Sequence, residues 1–271
     1  EEELKEVIQK MVNWLHTIMF SNGDIPMLND STGGQALEPK AILNYAKQLG
    51  FAPQYIHLKE SGYRKFEFGD IEMVADVGEV GPTYQPGHSH SDTLSFVLYH
   101  QEKPLIVDRG ISTYEKNQSR EEERGTASHN TVMVNGNEQT DVWGGFRVGR
   151  RAKPVIITDE EKQLKATHTG YEDLGIHNIR EWKISGKELE ITDEINGSQT
   201  EAIAYIHLHP DVEPIKIEEG VFKLKNLTLV LGNYVSVSVE AYPFCLGFNK
   251  TQQAQRFVIT FNKSLKTTLI I

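Results

Sequence analysis

From residue 64 to the C-terminus the chain is written in short runs of β-branched and aromatic residues. Segments such as FEFGDIEMVADV, LSFVLYH, PLIVD, HNTVMVNG, PVIIT, ELEITDEI, AIAYIHLH, LTLVLG, YVSVSVEAY and RFVITF follow one another at intervals of roughly 8 to 15 residues. Such side chains suit a pleated, half-buried surface. The pairs Asn135-Gly136, Ser185-Gly186, Asn196-Gly197 and Glu219-Gly220 punctuate the runs with residues that turn a chain tightly. No helical pattern alternates with them, which disfavours a parallel α/β sheet. The expected fold is mainly β, a large antiparallel β-sandwich.

Two helices are expected ahead of it. Leu4, Val7, Ile8, Met11, Val12, Leu15, Ile18 and Met19 lay one apolar stripe along residues 3–20. Residues 39–49 follow, with Pro39 preset for a first turn and Gly50 placed as a C-terminal cap. The polar stretch 112–126 reads as a surface loop.

Composition narrows the partners. Asp and Glu number 38 against 28 Lys and Arg, a net charge of −10, which disfavours nucleic acid. A local basic cleft could still hold a polyanion. Cys245 is the single cysteine, so internal disulfides and cysteine-based zinc sites are ruled out. The uncharged stretch 226–239 is too short for a membrane span, which takes roughly 20 residues.

The densest chemical signal is Pro86-Gly87-His88-Ser89-His90-Ser91-Asp92. In an extended chain His88, His90 and Asp92 share a face, and two imidazoles with a carboxylate suit zinc. The bland alternative is a hydrogen-bonded surface patch. The apolar run 104–108 ends on Asp108, and His129 opens another strand, so three strand ends could bring His90, Asp108 and His129 to one point. Asp108 could equally pair with Arg109 or Arg124.

Residues 87–139 resemble the heparinase II/III-like family of polysaccharide lyases. The elements are His88-x-His90-x-Asp92, the apolar strand ending Asp108-x-Gly110, Tyr114, Arg124-x-Thr126 and His129-Asn130-Thr131. NGDIPMLND (22–30) and AYIHLHPDV (204–212) extend the likeness. The resemblance implies an N-terminal α/α toroid followed by an antiparallel sandwich, with the active site between them. It implies a structural zinc on His90, Asp108 and His129, His88 and Tyr114 as catalytic residues facing the cleft, and Asp92 orienting an imidazole. The family's toroid supplies an Asn, a His and a Tyr for the elimination. That toroid is not found here. Residues 1–63 therefore read as its helical remnant and 64–271 as the sandwich, and the fragment alone is expected to be inactive. The implied substrate is an acidic, uronic-acid-containing polysaccharide cleaved by β-elimination, and the implied setting is the bacterial periplasm or exterior.

Further candidates are weaker. Arg147, Arg150, Arg151 and Lys153 cluster in FRVGRRAK (146–153) and could meet substrate carboxylates or sulfates, or line a solvated face. Arg124, near Arg120, joins the substrate-binding group; these two cations could lower the Tyr114 pKa. Trp143 could stack on a sugar or pack in the core. His168 and His177 could border the cleft, while His207, His209 and His16 read as structural. Two other functions compete: a non-catalytic, zinc-stabilised carbohydrate-binding sandwich, and an iron oxygenase built on His90, Asp92 and His129. The Asp-x-Gly and His-Asn-Thr elements speak against the oxygenase.

Overall fold

The structure is a computed structural model and describes residues 2–197 and 201–271. The two helices form where the apolar spacing put them, α1 (Glu2–Ile18) and α2 (Pro39–Gln48). Gly50, at φ 88°, adopts the left-handed conformation that follows α2. The helices meet through Val12, Leu43 and Ala46. Leu4, Met11, Tyr45 and Leu49 stay more than half exposed, and an apolar groove lined by Met11, Trp14, Ile42 and Tyr45 runs between the helices. Among the described residues no helix is long and apolar enough to cross a membrane.

Every strand pairing among the described residues is antiparallel. One four-stranded sheet runs β1 (Tyr63–Phe68), β2 (Ile71–Asp76), β3 (Phe96–His100) and β4 (Lys103–Ile106), in that spatial order. After β5 (Val132–Val134) comes a small hairpin, β6 (Val142–Trp143) and β7 (Arg147–Val148). The larger sheet is built from β8 (Pro154–Glu160), β9 (Gln163–His168), β10 (His177–Ser185), β11 (Glu188–Asn196), β13 (Pro214–Glu218), β14 (Val221–Leu224), β15 (Leu227–Gly232) and β18 (Ser264–Ile270). Its order is β13-β14-β15-β18-β11-β10-β9-β8. A second four-stranded sheet is ordered β16 (Ser236–Gly247), β17 (Lys250–Phe261), β12 (Ala202–His207) and β5. Backbone bonds from Val107 N to His207 O and from His209 N to Leu105 O join the end of β4 to β12. β4 and β5 thus share one edge of β12 at different heights.

The alternation in β11 is regular: Leu189, Ile191, Asp193 and Ile195 are buried, and their neighbours are not. Leu189, Ile191 and Ile195, with Trp182, Leu229 and Leu269, share one apolar core with Met73, Phe96, Leu98, Ala204, Phe257 and Phe261 from the two smaller sheets. Burying each large side chain contributes about 1.5–3 kcal/mol. β2 is buried on both faces because Ile18, Phe20, Leu28 and Leu58 cover its outer side, with the Phe20 ring stacked 3.8 Å from that of Tyr99.

The stretch 112–126 departs from the expected surface loop. It contains a third helix, α3 (Gln118–Arg124), capped by the Asn117 side chain, which accepts from Arg120 N at 3.0 Å. Arg120, Glu123 and Arg124 lie at helical spacing on one face, and all three are buried. The periodicity was present but written in charges, so it did not read as an inward face.

Candidate active site

Three segments converge beside α3. The chain leaving α1 crosses the outer face of β2 and β3 and delivers Asn29 and Asp30. Asn29 adopts a left-handed φ of 54°, which asparagine tolerates, and its side chain accepts from His90 N at 3.0 Å. Pro86–His88 forms a single 3-10 turn closed by Ser89 N to Pro86 O at 2.9 Å. That turn breaks the extended geometry expected of the motif. The motif divides by burial: the His88 side chain is 58% exposed, whereas His90 and Asp92 are buried.

Asp30 links these pieces. Its Oδ2 lies 2.7 Å from His88 Nδ1 and its Oδ1 2.8 Å from His90 Nε2. Arg120 grips both oxygens, Nη1 on Oδ1 and Nη2 on Oδ2 at 2.7 Å. Burial opposes the Asp30 charge, but the bonds from His90 and Arg120 win and hold its carboxyl well below the usual carboxylate range.

A second carboxylate–imidazole pair sits behind the first. Asp108 Oδ2 is 2.7 Å from His129 Nδ1, and Asp108 Oδ1 accepts from Gly110 N at 3.0 Å. The His90 and His129 rings are 5.2 Å apart. Burial acts to lower the His129 pKa, yet Asp108, Asp92 and Glu138 together push it up to about 9. Burial lowers His90. Among the buried polar atoms without a hydrogen-bond partner are His90 Nδ1, His129 Nε2 and Asp92 Oδ2. Imidazole nitrogens with their far side held by a carboxylate are what a divalent ion of zinc's type takes, so this chemistry fits the implied metal. The nominated His90, Asp108 and His129 are brought together, but Asp108 spends both oxygens on His129 and Gly110. Among the described residues no three such side chains already stand at ion-holding spacing.

The open side of His88 is aromatic. Phe146 lies 5.4 Å from its ring and Tyr114 5.8 Å, and Tyr114 packs edge-on against Phe248. Arg120 stacks 5.1 Å from the Tyr114 ring centroid. This cation does not lower the Tyr114 pKa as expected. Burial and Asp30 raise it, outweighing Arg120, so the phenol keeps its proton near neutral pH. On the other side, a cavity of about 200 Å³ is lined by Asn29, Tyr63, Asp76, Glu79 and Asp92. Burial, then repulsion from Asp92, pushes the Asp76 carboxyl up, and burial, helped by the Asp108 charge, raises that of Asp92 against the pull of His129 and His90.

The arginines divide. Arg147 and Trp143 are exposed cross-strand neighbours on the β6–β7 hairpin, available to a ligand. Arg124 is not: it is buried, and its guanidinium donates to Ser89 O and Gly145 O at 2.9 Å, holding the His88 turn and the hairpin. Arg150 is committed as well, to Gly170 O, to Glu138 O at 3.0 Å and to Asp141 at 3.2 Å. Arg124 is thus taken up by backbone carbonyls inside the protein, while Arg150 stays partly exposed with its guanidinium engaged by two carbonyls and Asp141. His168 and His207 are buried in the sandwich, so His168 does not border the cleft; His177 is exposed at the start of β10. The Asn of the His-Asn-Thr element is structural: Asn130 donates to Phe96 O and Val107 O and accepts from His207 N, tying three strands.

Asp30, Arg120 and Phe146 escaped the sequence reading as site residues. Asp30 is 58 positions from His88, a distance no local pattern spans. Arg120 carried a signal in the charged face of α3, and Phe146 in its place after Gly144 and Gly145, both at positive φ.

Comparison with solved structures places this fold clearly. A heparinase III structure, the BT4657 gene product, superposes with a TM-score of 0.77 at 17% identity, covering 100% of this chain and 47% of that one. The heparan sulfate lyase HepC from Pedobacter heparinus gives 0.77 at 16% identity, again covering 100% of this chain and 47% of its own. A further heparinase III structure gives 0.71 at 16% identity, with 98% of this chain and 47% of that chain covered. The chain therefore spans less than half the length of the structures it matches. A search of curated proteins finds no match. The family model for the heparinase II/III-like C-terminal region matches residues 52–270, and the chain belongs to that family.

Proposed function

We propose that this chain is the C-terminal part of a polysaccharide lyase that cleaves uronic-acid-containing glycans by β-elimination. The observation that carries the reading is an exposed imidazole, His88, anchored through Nδ1 to the buried Asp30 and walled by Tyr114 and Phe146. In the elimination a base removes the proton on C5 of the uronate. The electron pair forms the C4–C5 double bond, the bond from C4 to its oxygen breaks, and that oxygen takes up a proton. An imidazole is matched to proton transfer near neutral pH. Tyr114, with its phenol protonated, suits the leaving oxygen. Trp143 offers a stacking face and Arg147 a fork for the carboxylate or sulfate.

Zinc is the metal we propose for the buried group. His90 and His129 would hold it through their unpartnered nitrogens, with Asp108 at the His129 end, and it would pin strand ends rather than act on the glycan. The family match leaves the iron-oxygenase reading without support. Residues 1–63 are proposed as the end of an α/α toroid, supported by the bare apolar groove between α1 and α2, and the isolated chain as inactive without the rest. A polymeric acidic substrate fits a periplasmic or secreted protein.

The test measures the ultraviolet absorbance of unsaturated uronate, in this chain and in a version extended through the upstream helical domain. Cleavage by the extended protein, lost in His88→Ala with glycan binding retained, supports the reading. Binding of acidic glycans without cleavage by the extended protein would replace it with the non-catalytic module.

A further inference from the structure

We propose that Asp30 is a positioning residue which fixes His88 in the Nδ1–H tautomer and so leaves Nε2 as the imidazole atom presented to the cleft. The inference rests on the lyase reading for its catalytic consequence, but its structural content stands alone. Four donors meet one carboxylate: His88 Nδ1 at 2.7 Å, His90 Nε2 at 2.8 Å, and the two terminal nitrogens of Arg120. Arg120 occupies both oxygens and cannot accept a hydrogen bond, so the carboxylate has only acceptor capacity left for the two imidazoles. Each must offer it an N–H. For His88 that nitrogen is Nδ1, and the opposite edge of the ring is the one left for a ligand. An imidazole with no such partner takes the other tautomer more readily, with the proton on Nε2 and no lone pair facing outward.

Asp30 itself is held in place. Its side chain is 5% exposed. Arg120 also donates through Nε to Gly145 O at 3.0 Å, and its guanidinium lies 5.1 Å from the Tyr114 ring and 5.3 Å from that of Phe146. The carboxylate is thus fixed by the same side chain that carries the aromatic wall, and the direction of His88 is set relative to that wall. This is the arrangement by which a buried acid orients a catalytic histidine without touching substrate.

The experiment is a long-range 1H–15N correlation spectrum of the histidine side chains at a pH where the His88 ring is neutral, with its signals assigned by their loss in His88→Gln. Wild-type protein is expected to show His88 as Nδ1–H. In Asp30→Asn that preference should collapse, since the amide can present its NH2 to the ring. A wild-type His88 in the Nε2–H form overturns the assignment without any variant, and so does an Asp30→Asn spectrum unchanged at His88. In an extended protein that cleaves glycan, Asp30→Asn should lower kcat by roughly 100-fold with KM within about twofold. Added to His88→Ala it should cost nothing further; a full additional loss overturns the positioning role. A protein with the expected tautomer that cleaves no glycan would break the lyase reading and leave this assignment intact.

Discussion

Two of the charged networks buried among the described residues are finished to different degrees. In the sandwich, Arg180 forks onto Asp193 at 2.8 and 2.9 Å and gives its remaining nitrogen to Leu94 O and Asn130 O. Phe96 and Trp182 flank the guanidinium. A few ångströms of chain away, His90 Nδ1, His129 Nε2 and Asp92 Oδ2 are as deeply buried and have no partner. A closed network can only hold the fold. Each neglected group in an open one costs about 1–3 kcal/mol of desolvation, and the zinc proposed above would relieve that cost at His90 and His129.

The largest way to break the contrast is Arg180→Ala. It strands Asp193 in an apolar core and should cost about 3–5 kcal/mol, read as a fall in the urea midpoint. A loss below 1 kcal/mol would mean that the closed network is no more structural than the open one. Next comes zinc. Metal at 100 times its dissociation constant should add about 2.7 kcal/mol to wild-type stability and nothing to His90→Ala or His129→Ala, measured by thermal unfolding with and without chelator. Because His129 must shed a proton whose pKa stands at about 9, that gain should shrink as pH is lowered.

A smaller effect separates the sandwich from the site by pH. Burial pushes the His168 pKa from 6.5 down to about 3. The unfolded chain binds this proton below pH 6.5 and the folded one does not until about pH 3, so stability should fall as pH drops across that window. Between pH 6.5 and 5 one such histidine accounts for about 2 kcal/mol. A urea midpoint flat over that range would contradict it. Smallest is Trp143→Ala: the side chain is 44% exposed, so stability should move by no more than about 0.5 kcal/mol. Affinity for acidic oligosaccharides, by calorimetry, should weaken roughly three- to tenfold.

The sandwich was legible because its signal is local. β10 and β11 alternate residue by residue, and the pairs Ser185-Gly186 and Asn196-Gly197 mark where they stop. His90, Asp108 and His129 were legible as a set through their resemblance to a known family. What stayed hidden was hidden for physical reasons. α3 turns a charged face inward, so apolar periodicity could not reveal it. The exposure of His88 beside a buried His90 goes with a 3-10 turn that an alternating strand pattern does not contain. Asp30 reaches the site by a path across a sheet face, and Arg124 and Arg150 looked like ligand contacts because nothing in a sequence shows which carbonyls a guanidinium has already taken.

One oxygen atom limits how the open side of this site can behave. Gly145 O receives both Arg120 Nε and Arg124 Nη1, so the hairpin tip bearing Trp143 and Phe146 is riveted to a helix rather than hung on a hinge. Under the proposed lyase reading, a glycan entering past Phe146 would meet a tip tied to α3 by two arginines, and chain branching or bulky decoration would be screened there by shape before any charge is felt.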